Sequence, residues 1–127
     1  MKRLALFALF AVACNRTEPV QPVQKAAPPA MAATGNATRG QEMIAQYGCN
    51  VCHIVPGING PQGSLGPSLA GIASRPTISA ANVPNTQANL VQFIQNPGSL
   101  NPQSSMPPIA LAPEDAKDIV AYLQTLK

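Results

Sequence analysis

The tightest limit on this chain is how little it has to put inside a core. It has no tryptophan, and only two Tyr and three Phe among 127 residues. Phe7 and Phe10 fall in an N-terminal stretch with the look of a removable leader, which leaves Tyr47, Phe93 and Tyr122 for a mature domain. Fourteen prolines and nine glycines break the chain at many points, so long unbroken helices are not expected. The length sets a ceiling of one ordinary domain. Either that domain is not compact, or something other than side chains fills its middle.

Charge narrows the field further. The formal net charge of +3 is inflated by Lys2 and Arg3 of the leader; without them six basic residues face five acidic ones. From residue 37 onward Arg39, Arg75, Lys117 and Lys127 balance Glu42, Glu114, Asp115 and Asp118. No Lys/Arg cluster remains, which argues against nucleic-acid binding. Long-range steering to an acidic partner is also not expected.

The first residues address the chain to a compartment. Met1-Lys2-Arg3 precedes an apolar run of ten residues, Leu4 to Ala13, well short of the roughly 20 that span a bilayer. Residues 1–13 therefore read as an export signal. It ends Ala11-Val12-Ala13-Cys14, which resembles the bacterial lipobox, with Ala11 where Leu is commoner. In that reading Cys14 becomes the lipidated first residue of the mature chain. Its alternatives are an ordinary signal residue lost on cleavage and an uncleaved hydrophobic anchor. Residues 14–36 contain Pro19, Pro22, Pro28 and Pro29 and little that can be buried. They read as an extended tether whose 23 residues can reach up to about 70 Å. The expected location is the periplasmic side of a bacterial membrane, with a lipid anchor at Cys14.

Residues 37–127 read as a small, loop-rich, all-α domain. Thr38 with Gln41 forms a capping-box pattern ahead of a helix from about Arg39 to Tyr47, ended by Gly48. Pro67 to Ile72 has room for a helical turn or two, and Ser74 to Asn85 reads as loop. Thr86 caps a helix over Gln87–Asn96, with Leu90, Val91, Phe93 and Ile94 on the buried side. Asn96-Pro97-Gly98 stops it. Pro113 suits the first position of a last helix, where Glu114 and Asp115 complement the dipole. Ile119, Tyr122, Leu123 and Leu126 form its apolar face. No stretch alternates as a strand.

One constellation carries chemistry. Cys49-Asn50-Val51-Cys52-His53 is the Cys-x-x-Cys-His signature of c-type haem attachment. Two thiols at this spacing can each bond one vinyl group of a porphyrin edge, and the following imidazole then lies under the ring facing iron. A disulfide, a thioredoxin-like pair and half a zinc site compete for the same cysteines. Zinc lacks further ligands, since His53 is the only His and the third cysteine is Cys14. A thioredoxin pair lacks its βαβ context, and a disulfide leaves the adjacent His unexplained. A second axial ligand must come from the methionines or from the late lysines, Lys117 and Lys127. Met1 lies in the leader, Met31 in the tether and Met43 on a helix face, which leaves Met106 in the stiff Met106-Pro107-Pro108 loop. Its alternative is to pack on the haem edge without bonding. Thioether ligation raises the potential by favouring Fe(II).

Over about residues 37–127 the chain resembles class I cytochromes c. The resemblance rests on Cys49-Asn50-Val51-Cys52-His53, Gly66-Pro67-Ser68-Leu69, Ala73-Ser74-Arg75, Asn82-Val83-Pro84-Asn85-Thr86, Asn96-Pro97 and Ser105-Met106-Pro107-Pro108. It looks most like the cytochrome c domain joined to subunit II of some bacterial haem–copper oxidases, although no transmembrane hairpin or dinuclear copper set accompanies it. The resemblance implies one covalent haem c, with thioethers at Cys49 and Cys52 and axial iron ligands His53 and Met106. It also implies a hydrogen bond from His53 Nδ1 to the Pro67 carbonyl. Arg75 becomes the partner of a haem propionate, against the alternative of a solvent-exposed loop arginine. Gly40, Ile44 and Tyr47 would cross Tyr122 and Leu123. The haem then replaces the missing aromatic core, and the apo-domain is expected to be largely unfolded.

The expected function is one-electron transfer rather than enzymatic turnover, because a six-coordinate iron has no open position. A neutral surface implies docking through a small apolar patch, with weak salt dependence. The resemblance implies a quinol-oxidising complex as donor and a terminal oxidase as acceptor, with the chain monomeric or part of a complex. A cytochrome subunit of a periplasmic dehydrogenase or reductase shares this chemistry. A haem-based gas sensor or small peroxidase would need Met106 to leave the iron, and no catalytic His or Arg stands near Met106 in the sequence.

Overall fold

A computed structural model of the chain describes residues 35–127. The export signal (1–13), Cys14 and all but the last two residues of the 14–36 tether lie outside the described residues. Four helices carry the domain: α1 (Ala37–Gln46), the single turn α2 (Cys49–Cys52), α3 (Gln87–Gln95) and α4 (Pro113–Leu123). Short 3₁₀ turns form at Ile72–Ser74 and Pro97–Ser99. Among the described residues no helix is long and apolar enough to cross a membrane.

Helix α1 packs across α4, and α3 also packs on α4. The crossing is close because Gly40 has no side chain: a Cβ there would overlap the backbone carbonyl of Asp118. Around the crossing Ile44, Ile119 and Val120 are fully buried with Val55. Leu90, Val91 and Ile94 of α3 extend this core. Tyr122 and Leu123 are buried on the α4 face that the 3.6-residue period picks out, and Leu126 packs at its edge.

The start of α1 differs from the expected capping box. Its N-cap is Asn36, whose side chain accepts from the Arg39 N–H at 3.0 Å. Thr38 sits inside the first turn, and Gln41 instead donates to the Gly57 carbonyl at 2.7 Å. Asn36 is favoured because its own N–H is also taken, by Asp118 Oδ1 at 2.7 Å. Thr86 does cap α3, accepting from the Asn89 N–H at 3.1 Å, and Pro113 opens α4.

Two stretches expected as helix and as loop take other forms. Pro67 to Ile72 forms no α-turn, because residues 63–69 run alongside the haem-attachment motif. Gly63, Gly66 and Leu69 donate to the carbonyls of Asn50, Cys52 and Ile54, each at 2.8 Å. A helix would have turned these donors inward. The loop reading of Ser74 to Asn85 misses a minimal antiparallel ribbon, β1 (Thr77–Ile78) and β2 (Val83–Pro84), with Ile78 opposite Val83. Both of those side chains are buried. The turn between them holds Ser79 and Asn82 at φ +62° and +55°, a region non-glycine residues seldom enter.

Candidate functional site

The helices and the segments between them enclose a cavity of about 690 Å³. Its wall brings together Cys49, Cys52, His53, Pro67, Arg75 and Met106. These residues come from three separated parts of the sequence. All six expected site residues within the described part of the chain thus meet at one place.

The local geometry follows from short-range rules. One helical turn sets Cys49 and Cys52 three residues apart, and the His53 N–H bonds back to the Cys49 carbonyl at 3.0 Å. His53 itself is extended, with φ −114° and ψ 147°, so its ring leaves the turn. The ring is fixed by Nδ1, 2.7 Å from the Pro67 carbonyl oxygen. A carbonyl can only accept, so Nδ1 carries the proton and Nε2 keeps its lone pair for a metal. Such a bond sets both the tautomer and the ring orientation of a ligating histidine.

Gly66 completes this mount. A Cβ there would overlap the His53 ring. The strand-like pairing of Gly66 with Cys52 therefore places a bare backbone against the imidazole. Sequence reading noted Gly66 only as part of a resemblance; its reason is this contact.

Cys49 and Cys52 are not joined to each other in a disulfide. Burial pushes the Cys49 thiol above its ordinary pKa. Among the described residues no cluster of three or more His, Cys, Asp and Glu side chains could hold a metal ion. The zinc reading therefore finds no ligand set among them. Met106 is half-buried on the cavity wall, with its N–H 3.3 Å from Ser104 Oγ.

Arg75 is half-buried rather than a free loop residue. Its Nη2 donates to the carbonyls of Ser68 at 2.6 Å and Ala70 at 2.8 Å. Asn85 holds the same turn from behind, donating to the carbonyls of Ile72 at 2.7 Å and Arg75 at 2.8 Å. Sequence reasoning passed over this role of Asn85. Its partners are main-chain oxygens, which leave no trace in the pattern of side chains.

The donor set fits a haem. The cavity is mainly apolar at its centre, with Leu69, Ile72, Phe93 and Ile94 in the wall. Two thiols, an imidazole with a free Nε2 and a thioether face into it. One cation, Arg75, reaches its wall.

The comparisons agree with that chemistry. The family model described as cytochrome c matches residues 37–127. Cytochrome c2 from Rhodobacter sphaeroides superposes with a TM-score of 0.59 at 24% identity, over 72% of this chain and 96% of that one. Cytochrome cH from Methylobacterium extorquens does so with a TM-score of 0.56 at 26% identity, over 72% of this chain and 99% of that one. SoxXA from P. pantotrophus follows with a TM-score of 0.55 at 22% identity, over 73% and 82%. No curated protein sequence matches. The matched structures bear out the class I cytochrome c fold. They lend no support to the closer likeness to the oxidase subunit II domain.

Proposed function

This chain belongs to the cytochrome c family, and we propose that it is a one-electron carrier held on the periplasmic side of a bacterial membrane by a lipid at Cys14. In this reading it passes electrons along a respiratory chain, from a quinol-oxidising complex to a terminal oxidase. Membership in the family brings one covalently bound haem c with its iron. That iron supplies the chemistry, a change between Fe(III) and Fe(II) by one electron.

The chain's own residues do the rest. Cys49 and Cys52 would hold the macrocycle by two thioether bonds. His53 would offer Nε2 to the iron, its ring oriented by the Pro67 carbonyl 2.7 Å from Nδ1. Met106, on the wall of the same cavity, would offer its thioether sulfur to the iron. Arg75 would pair with a propionate, its guanidinium kept at the wall by the Ser68 and Ala70 carbonyls.

The observation that carries this reading is the meeting of Cys49, Cys52, His53 and Met106 on one cavity. With both His53 and Met106 bound to it, the iron would have no open position for a substrate, which suits electron transfer. The test is the visible spectrum of the reduced holoprotein with and without carbon monoxide. The expected result is no change for the unsubstituted protein and binding by Met106→Ala. Ready binding by the unsubstituted protein would instead favour a gas sensor or small peroxidase.

A further inference from the structure

The charged residues of this domain are segregated. Between Met43 and Pro113 the chain contains a single Asp, Glu, Lys or Arg, which is Arg75. The other charges from residue 37 onward stand on α1, on α4 and at Lys127. Several of those are internally paired: Arg39 with Asp115 and Asp118, and Lys117 with Glu114. The part of the chain that surrounds the cavity is therefore almost free of charge.

The large exposed aliphatic side chains among the described residues fall in this same part. Val51 is 67% exposed, Ile54 46% and Leu65 89%. Val51 lies between the two attachment cysteines, and Ile54 follows His53. The backbone bonds from Gly63, Gly66 and Leu69 to Asn50, Cys52 and Ile54 lay the second segment along the first. They bring Leu65 to the stretch that carries Val51 and Ile54. Leu65 also belongs to the cavity wall, so the patch adjoins the site on its attachment side.

We propose that Val51, Ile54 and Leu65 form the docking surface for a redox partner protein that presents an uncharged, apolar patch of its own. The inference rests on the electron-carrier reading above and adds where the partner sits and what its surface is made of. Charge complementarity selects this occupant. A charged partner surface laid on this patch would lose its hydration and find no opposite charge in return. An apolar surface loses nothing and buries three aliphatic side chains. A patch this small suits brief electron-transfer encounters, which form some of the smallest protein interfaces.

The test uses the reduced full-length holoprotein and respiratory membranes of the source organism, following haem oxidation. The variants are Ile54→Asn, Ile54→Asp and Ile54→Lys, at the patch residue that lies outside both the attachment motif and the cavity wall, each checked for an unaltered reduced spectrum. The account expects all three to slow oxidation about tenfold, with either sign of charge acting alike. It also expects the unsubstituted rate to change less than about twofold between roughly 10 and 300 mM ionic strength. Opposite effects of Asp and Lys, or a steep salt dependence, would show a charged partner and overturn the proposal. A dimer in sedimentation that the same variants dissolve would assign the patch to a second copy and also overturn it. Unslowed variants beside a readily oxidised parent would remove the docking surface alone. No oxidation of the parent would remove the carrier reading, and the docking surface with it.

Discussion

The pair formed by α1 and α4 and the segment between them are built on different principles. The helix pair satisfies itself. Arg39 reaches both Asp115 and Asp118, Tyr47 donates to Asp115 at 2.6 Å, and the Asn36 N–H donates to Asp118. Ile44, Ile119 and Val120 are sealed beneath. The segment from His53 to Ala112 has two-residue strands, 3₁₀ turns and one helix of nine residues, and its side chains, with Ile44, Ile119 and Leu123 of the helix pair, surround the cavity. Tyr47 and Tyr122 both serve the helix pair or its edge, the latter donating to the Pro56 carbonyl at 2.6 Å. Among the described aromatic residues only Phe93 is left to face the cavity. The lesson is that the polypeptide spends its own large side chains on the joint between its ends. The middle is left to be filled by the haem.

The comparison can be broken most severely at the joint. Gly40→Val should cost about 3 kcal/mol or more, because the added carbons meet the Asp118 carbonyl and the helices cannot separate without opening the core. The chemical denaturation midpoint of the holoprotein measures it. Gly66→Ala should cost less, about 1–3 kcal/mol, and act on a different observable. Its methyl group collides with the His53 ring, so the reduced spectrum and potential should shift. A joint variant should leave both nearly unchanged relative to its loss of stability.

Acid separates the regions in another way. Hydrogen bonds from Tyr47 and then Arg39 lower the Asp115 pKa below the ordinary 3.8. The Asn36 N–H and then Arg39 do the same for Asp118. Carboxylates with lowered folded pKa values contribute stability in full above the ordinary value, and that stability is lost as pH falls through the lowered ones. The holoprotein should therefore lose stability on going below about pH 4. Arg39→Met should be less stable than the parent at neutral pH and show a shallower acid loss, as read from melting temperature against pH. An equal acid slope in the two proteins would mean that the joint is not the acid-sensitive region.

How far these features could be read from the sequence depended on the range of the interactions behind them. α3 and α4 follow from local signals: Thr86 as cap, Pro113 at the first position, and apolar residues at helical spacing. The attachment motif and Met106 stand out in the sequence because the chemistry demands those residue types and the chain offers few others, and the fold brings them to one cavity. The cap of α1 was misread, since Asn36 prevails over Thr38 through Asp118, 82 positions away. Asp115 looked like a dipole partner, and its bonds to Arg39 and Tyr47 span 76 and 68 positions. The β1–β2 ribbon is too short to show alternation. Pro67 to Ile72 has room for a helical turn in the sequence because its partners, the Ile54 carbonyl and the ring of His53, lie more than ten positions away. Removing the Asn36 cap is the mildest probe of the set. Asn36→Ala should cost about 1 kcal/mol, seen in the denaturation midpoint, whereas Thr38→Ala should change little.

The central claim is that the segment between the terminal helices folds around the haem and not around its own side chains. Amide hydrogen exchange, residue by residue, compares the holoprotein with a Cys49→Ser/Cys52→Ser chain that cannot attach haem. The account predicts protection in residues 53–112 of the holoprotein and rapid exchange through the same residues without haem, with any remaining protection confined to α1 and α4. Equal protection of residues 53–112 in both proteins would contradict it.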